Sequence, residues 1–318
     1  MFGISVKADT EQEEQQLLER YSQALLYERR KIEPIDRWCK TYLQRPFVEV
    51  VCARSEILME LRQCLDELQQ QSIAIDQNYS CYLTETLYRT LDKSNPNGNA
   101  KRILLESLDV AVCPYCNKNF VYNIKKSQAG EWISTCELDH FFPKNKYPLL
   151  AVSFYNLIPS CHFCNHIKGT QELKAFYPHL VSSAETEQIR FSYWPLGTDY
   201  RTNKDSVAVV MFVPSRIKPS VKRWSGWKRS HIVHDIKALK LRQLYEKHND
   251  IVQKLLLKYT ILDASYVQDM FENFKRYFSS PKEVRDLLLD ASSDLQDVAD
   301  TPLGKLKFDI LTENNSLS

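Results

Sequence analysis

Residues 113–168 contain four informative segments: CPYC at 113–116, LDHFFPK at 138–144, NLIPS at 156–160 and CHFCNHIK at 161–168. They hold two Cys-x-x-Cys pairs, which are separated by 44 residues. Two short turns that each offer two thiolates can close one tetrahedral metal site. One such pair would be weak evidence, whereas two are strong, so we predict that the four cysteines share one metal ion.

The composition is that of a globular cytoplasmic protein. The chain has 318 residues, of which 43% are hydrophobic and 26% charged, so it can bury a sizeable core. Its first residues lack the basic and apolar segments of a signal peptide, and the longest apolar run, 207–213, is too short to span a bilayer. In the reducing cytoplasm, paired cysteines bind metal rather than form disulfides.

Zinc is the usual occupant of four sulfur ligands in such a compartment. We therefore predict a structural zinc ion, bound by Cys113, Cys116, Cys161 and Cys164. Redox chemistry at the first pair would need a thioredoxin-like βαβ context, which the pattern does not show, and an iron–sulfur cluster is the remaining alternative. The other five cysteines lack paired spacing and are expected to act as small apolar side chains: Cys39, Cys52, Cys64, Cys81 and Cys136.

The chain divides into three expected regions. Residues 1–99 form an N-terminal helical region, in which Thr10 is the predicted N-cap of the first helix and Glu13 its capping-box partner. Residues 100–180 form the cysteine-bearing core, entered through a short helix at 100–109. In 181–318, alternating apolar residues near 189–193 and 207–213 predict a β hairpin, and helical periodicity from His231 predicts a C-terminal helical region.

The order of residues across 113–168 resembles the ββα-metal core of HNH nucleases, in which cysteine pairs often carry zinc. The resemblance implies that Asp139 is a carboxylate metal ligand, His140 the general base, Asn156 the middle residue of the signature and Asn165 the last ligand. Because the last position is often His, this chain is an HNN variant. The expected fold is thus α+β, a mostly helical chain around a zinc-bearing HNH core with a small β hairpin.

The same residue types suit phosphodiester hydrolysis on chemical grounds. An imidazole with a pKa near neutrality can take a proton from water, so His140 is a sensible base. The Asp139 carboxylate and the Asn165 amide offer oxygen ligands, which favour a catalytic Mg²⁺ or Mn²⁺ ion. Asn156 is expected to hydrogen-bond the backbone or His140 and so to position the imidazole. Asp139 and His140 can share one site only if the strand ends or twists there.

Basic residues provide candidate contacts to nucleic acid. Lys144 and Lys168 lie next to the signature and could bind phosphate. The segment 216–247 has ten Lys or Arg residues against two acidic ones, within a chain of net charge +2, and it contains Trp224 and Trp227. Such a segment suits a phosphate backbone, although a solvated helix face is an equal alternative. The candidate contacts within it are Lys222, Arg223, Lys228 and Arg229.

The longer sequence around these motifs resembles the HNH subunits of bacterial anti-phage systems, in particular the PtuB family of Septu and the related retron-associated HNH effectors. This resemblance implies an endonuclease, with DNA preferred over RNA as substrate, that works with an ATPase of the PtuA type. An RNase acting on tRNA and a non-catalytic zinc-ribbon module are the alternatives. No phosphate-loop motif occurs, and 9–19 carries five acidic residues and no basic one, which suits docking to a protein. Alternatively, the N-terminal helices simply cover the core.

Overall fold

The structure is a computed structural model that describes residues 2–27, 32–125, 132–180, 189–213 and 228–317. The candidate nucleic-acid contacts Lys222 and Arg223 lie outside the described residues, as do Trp224 and Trp227.

The N-terminal region consists mainly of helices joined by short turns. In chain order its elements are β1 (Ser5–Val6), α1 (Glu11–Leu25), α2 (Glu33–Tyr42), α3 (Phe47–Val51), α4 (Ser55–Gln70), α5 (Gln77–Cys81), a π-helical turn (Tyr82–Leu87), α6 (Tyr88–Thr90), β2 (Ser94–Asn95) and β3 (Gly98–Asn99). The predicted cap of α1 is confirmed, since the Thr10 side chain accepts a hydrogen bond from the Glu13 backbone N–H at 3.2 Å. The Glu13 carboxylate accepts from the N–H of Asp9 at 2.7 Å, one residue earlier than in a capping box.

The middle of the chain forms three small antiparallel pairings and two helices. Its elements are α7 (Ala100–Ser107), β4 (Leu108–Asp109), β5 (Asn123–Lys125), β6 (Trp132–Ser134), β7 (Glu137–His140), β8 (Leu157–Ser160) and α8 (His162–Lys168). Strand β4 pairs with β1, β5 with β6, and β7 with β8, where His140 lies opposite Leu157. Gly169, with φ of +52°, ends α8, because only glycine adopts that backbone conformation without strain. The segment 137–168 therefore has the order strand, strand, helix.

The C-terminal region begins with the predicted hairpin, which is confirmed. Strand β9 (Arg190–Pro195) pairs antiparallel with β10 (Val207–Phe212), and the alternating residues Val207, Val209 and Met211 are buried. Helices follow: α9 (Arg229–Ala238), α10 (Leu241–Tyr245), α11 (Asn249–Ile261), α12 (Ala264–Asn273), α13 (Pro281–Leu289), α14 (Leu295–Val298) and α15 (Gly304–Leu317). The chain is thus a mixed α and β fold, mostly helical, with small two-stranded sheets. None of the described helices is both long and apolar enough to cross a membrane.

One hydrophobic core runs through all three regions. Polar contacts accompany it at the boundary between the N-terminal helices and the middle of the chain. The Tyr21 hydroxyl donates to the Val152 carbonyl at 2.9 Å, and the Ser153 hydroxyl donates to the Val50 carbonyl at 2.8 Å. The division at residues 99 and 180 stays a prediction.

Candidate metal centre and the adjoining polar site

Four cysteines meet where the first Cys-x-x-Cys turn faces the N-terminus of α8. The sulfur atoms of Cys113, Cys116, Cys161 and Cys164 all lie within 4.8 Å of one another, and all four residues are buried. A tetrahedral zinc ion with bonds of about 2.3 Å needs sulfur atoms roughly 4 Å apart. The Sγ atoms of Cys116 and Cys161 are 3.9 Å apart, so the cluster fits and can hold a metal ion such as zinc.

The first turn has a backbone suited to this task. The N–H of Asn117 donates to the Cys113 carbonyl at 2.8 Å, and Asn117 has a φ of +48°, a left-handed conformation that asparagine tolerates. The Asn119 side chain donates to Cys161 Sγ at 3.2 Å. Hydrogen bonds from the other three cysteines, Cys113 first, lower the pKa of Cys161. A thiolate is the form that binds metal.

The C-terminal region holds this turn in place. The Asn117 amide donates to the carbonyls of Val298 at 3.1 Å and Ala299 at 3.2 Å, and its oxygen accepts from the Lys305 N–H at 3.0 Å. The Tyr245 hydroxyl donates to the Cys116 carbonyl at 2.6 Å. These contacts could not be predicted from the sequence, because their partners are far apart along the chain.

Asp139 lies beside the cysteine cluster and is buried. Its Oδ1 accepts from Lys168 Nζ at 3.0 Å, and its Oδ2 accepts from the Tyr115 hydroxyl at 2.7 Å. Burial raises the pKa of Asp139, and the Lys168 charge opposes that effect. Both carboxylate oxygens therefore have protein partners. The role of Asp139 as a metal ligand stays a prediction, and as the side chains stand the carboxylate does not fit it.

Lys168 was predicted as a phosphate contact, and it is fully buried at the end of α8. Besides Asp139, its Nζ donates to the His140 carbonyl at 2.7 Å. A phosphate could reach this ammonium only if the pair with Asp139 opened. Lys144, the second candidate near the signature, donates to the Thr84 carbonyl at 3.0 Å and lies 4.5 Å from the centre of the Tyr88 ring. Both phosphate-binding roles stay predictions.

His140 is the last residue of β7, and a site that it shares with Asp139 stays a prediction. Its Nε2 is 2.9 Å from the Ala151 carbonyl, and because a carbonyl only accepts, that nitrogen carries the proton. The Tyr88 ring packs against the imidazole at 4.8 Å. Burial, followed by the charge of Lys144, lowers the pKa of His140 to about 3, so the ring is neutral at pH 7. Tyr88 was not foreseen from the sequence.

Asn156 is buried and holds the loop that faces His140. Its Oδ1 accepts from the Phe142 N–H at 2.7 Å, and its Nδ2 donates to the Leu150 carbonyl at 2.8 Å. Leu150 precedes Ala151, the partner of the imidazole. These contacts are of the backbone-bonding kind that we expected of Asn156, and its positioning role in catalysis stays a prediction.

Asn165 lies on α8 but does not contact Asp139 in this arrangement. Its Nδ2 donates to Glu137 Oε2 at 2.6 Å, and His162 Nδ1 is 2.7 Å from Glu137 Oε1. Hydrogen bonds from Asn165 and then His162 lower the pKa of Glu137. Glu137 was not foreseen from the sequence, although strand alternation places it on the same side of β7 as Asp139. Of the other predicted contacts to nucleic acid, Lys228 and Arg229 are exposed where α9 begins.

Comparison with known proteins gives one short match. A 38-residue segment is 53% identical to Septu protein PtuB of Bacillus thuringiensis, which covers 12% of this chain and 15% of that protein's length. No family model matches the chain, and no solved structure matches it. A short part of the chain is therefore similar to a Septu protein, and these comparisons say nothing about the rest.

Proposed function

We propose that this chain is an HNH-type metal-dependent endonuclease, the nuclease subunit of a bacterial anti-phage system that includes an ATPase. The observation that carries the proposal is the orientation of the His140 imidazole, which is hydrogen-bonded to the Ala151 carbonyl. Asn156 stabilises the loop around Ala151 by a hydrogen bond to the Leu150 carbonyl. The strand–strand–helix order with four clustered cysteines supports it, as does the short similarity to PtuB.

In the proposed reaction, His140 accepts a proton from the attacking water. With Nε2 protonated, Nδ1 is the atom that takes this proton. The Ala151 carbonyl fixes the tautomer and the ring plane, which keeps Nδ1 available in every turnover. A divalent cation, held by Asn165 and a carboxylate of β7, would supply charge stabilisation at the phosphoryl oxygens. The 2′-hydroxyl has no part in this chemistry, which therefore acts on either nucleic acid. DNA is the proposed substrate, and RNA is the alternative.

The second candidate is a zinc-ribbon module that binds nucleic acid without cleaving it. The observation in its favour is Asp139, whose oxygens are both engaged by Lys168 and Tyr115. A cleavage assay separates the two candidates. Plasmid, single-stranded DNA and total RNA are incubated with the purified chain and Mg²⁺, with and without co-expression of the adjacent gene's product. Cleavage that His140→Ala loses supports the nuclease, and binding without any cleavage supports the module.

The partner proposal is tested in the same preparation. Of the acidic residues at 9–19, Glu11 and Glu14 pair with Arg54 inside the chain, and the Glu13 carboxylate accepts from the Asp9 N–H. The exposed carboxylates of Asp9 and Glu19 remain for contact with a basic partner surface. Size-exclusion chromatography with light scattering should give a complex of this chain with an ATPase. A lone monomer that cleaves at full rate would contradict the proposed complex.

A further inference from the structure

The Asp139 carboxylate is already paired with a positively charged side chain. The Lys168 ammonium lies 3.0 Å from its Oδ1, and the two side chains are 0% and 2% exposed. A divalent ion placed on this carboxylate would lie next to a fully buried positive charge. The second oxygen is held by the Tyr115 hydroxyl at 2.7 Å. A metal ion at Asp139 would therefore have to displace both partners from a buried position.

Glu137, two residues earlier on the same side of β7, has the opposite surroundings. Its side chain is 42% exposed, and no lysine or arginine among the described residues forms an ion pair with it. Its carboxylate contacts the Asn165 amide at 2.6 Å and His162 Nδ1 at 2.7 Å. The His162 side chain is 80% exposed. An anion, an amide and an imidazole thus converge where water and phosphate have access.

We propose that Glu137, Asn165 and His162 form a divalent-cation site at the edge of the β7–α8 unit, and that Asp139 serves as the counter-ion of Lys168. The role of the ion in cleavage rests on the proposed nuclease function, whereas the binding of the ion does not. To bind the ion, the Asn165 amide rotates and presents its oxygen, and His162 releases the proton that it shares with Glu137, so that Nδ1 presents a lone pair. Two oxygen ligands and one imidazole suit Mn²⁺, and Mg²⁺ binds the same oxygens with water at its other positions.

The test measures Mn²⁺ binding to the full, zinc-loaded chain without nucleic acid. Electron paramagnetic resonance of free Mn²⁺ and calorimetry give the affinity of each variant. Glu137→Gln should weaken binding at least tenfold, and His162→Ala should weaken it as well. Asp139→Asn should bind like the wild type, as should the matched control Glu106→Gln, which changes an exposed carboxylate on α7.

Several outcomes would overturn the site. They are no Mn²⁺ binding by the wild type, unchanged binding by Glu137→Gln, and loss of binding by Asp139→Asn with zinc content and near-ultraviolet circular dichroism unaltered. If Asp139→Asn does not fold, the two exposed positions, Glu137 and His162, still decide the matter. Cleavage assays separate this inference from the proposed function. Glu137-dependent Mn²⁺ binding without any cleavage by the wild type, either alone or co-expressed with the adjacent gene's product, would refute the nuclease and leave the site. Cleavage by Glu137→Gln at the wild-type Mn²⁺ dependence would refute the site and leave the nuclease.

Discussion

His140 shows how a partly buried side chain can still present one reactive atom. Its Nε2 is bound to the Ala151 carbonyl, and among the described residues Nδ1 has no hydrogen-bonding partner. The neutral ring is favoured by burial, because an imidazolium there would lose its hydration. With so low a pKa the ring alone is a weak base, so the proposed mechanism requires the negative charge of a bound phosphate to raise the pKa of His140.

The first prediction concerns this residue. His140→Ala should abolish cleavage, a loss of at least a hundredfold, because the proton acceptor is removed. Nucleic-acid binding and zinc content should stay at the wild-type level, because the ring is not a metal or phosphate contact in the proposed site. Single-turnover cleavage and filter binding measure the two effects. His231→Ala on α9 is the matched control and should cleave normally. A fully active His140→Ala protein would contradict the assigned base.

A second prediction at the residue scale concerns pH. Burial lowers the pKa of both His140 and His179 to about 3 from an ordinary value of 6.5. Between pH 6.5 and 3 the unfolded chain therefore binds protons that the folded chain does not, and stability falls as the pH falls. At pH 5.5 each histidine should have removed about 1.4 kcal/mol from the free energy of unfolding relative to pH 7.5.

Urea unfolding at the two pH values measures this loss, and His179→Gln should make it smaller. His162 provides a control of opposite sign. The hydrogen bond to Glu137 raises the pKa of His162, so its contribution is present below pH 6.5 and is lost as the pH rises through the folded-state pKa. His162→Gln should therefore steepen the loss of stability on acidification. An identical pH dependence in all three proteins would contradict the assignment.

At the scale of elements, the metal centre joins three parts of the chain. The first turn supplies Cys113 and Cys116, and α8 supplies Cys164 just after Cys161. Asn117, the residue that follows the first cysteine pair, is hydrogen-bonded to Val298 at the end of α14 and to Lys305 at the start of α15. Loss of the ion should therefore loosen the C-terminal helices as well as α8, because the turn they hold would lose its fixed shape.

The third prediction follows from that arrangement. Purified protein should contain one zinc ion per chain, and Cys161→Ser should lose it and unfold cooperatively at a lower temperature. The comparison is Cys39→Ser, a change at a buried cysteine outside the cluster, which should keep its zinc. Mass spectrometry of metals and differential scanning calorimetry give the two readouts. Full zinc occupancy in Cys161→Ser would show that the cluster is not the site.

A related prediction concerns the hydrogen bonds between Asn117 and residues 298–305, which hydrogen exchange can test. Asn117→Ala removes the amide that contacts Val298 and Ala299, and it leaves the four thiols in place. Backbone amides near 298–305 should then exchange faster while zinc remains bound, because four hydrogen bonds to that segment are lost. Exchange unchanged at 298–305 would mean that packing alone holds the C-terminal region.

At the scale of the whole molecule, the N-terminal helices surround the proposed active site rather than standing apart from it. Tyr88 packs on His140, and its hydroxyl donates to the Leu138 carbonyl at 3.2 Å. The Thr84 carbonyl, in the π-helical turn, holds Lys144. These contacts favour the view that the helices cover the core, and they leave their outer surface for a partner. A partner that moved this layer would change the environment of His140.

The last prediction concerns charge over the whole surface. If the start of α9 contacts a phosphate backbone, the double variant Lys228→Glu with Arg229→Glu should make the slope of log affinity against log salt shallower by about two units for duplex DNA. The control Lys282→Glu changes an exposed lysine on α13 and should leave the slope unaltered. Fluorescence anisotropy at several salt concentrations measures the slope. No change in the double variant would assign Lys228 and Arg229 to a solvated surface or a protein contact.

The sequence alone determined the features that depend on local spacing. Two Cys-x-x-Cys turns predicted the thiol cluster, Thr10 predicted the start of α1, and alternating apolar residues predicted the β9–β10 hairpin, because each of these patterns follows from the geometry of a few consecutive residues. Only the tertiary structure decided which charges meet. Lys168 and Asp139 are 29 residues apart, and Asn117 and Val298 are 181 apart. Whether a carboxylate faces an ammonium or open water depends on how distant segments pack, and no local pattern encodes it.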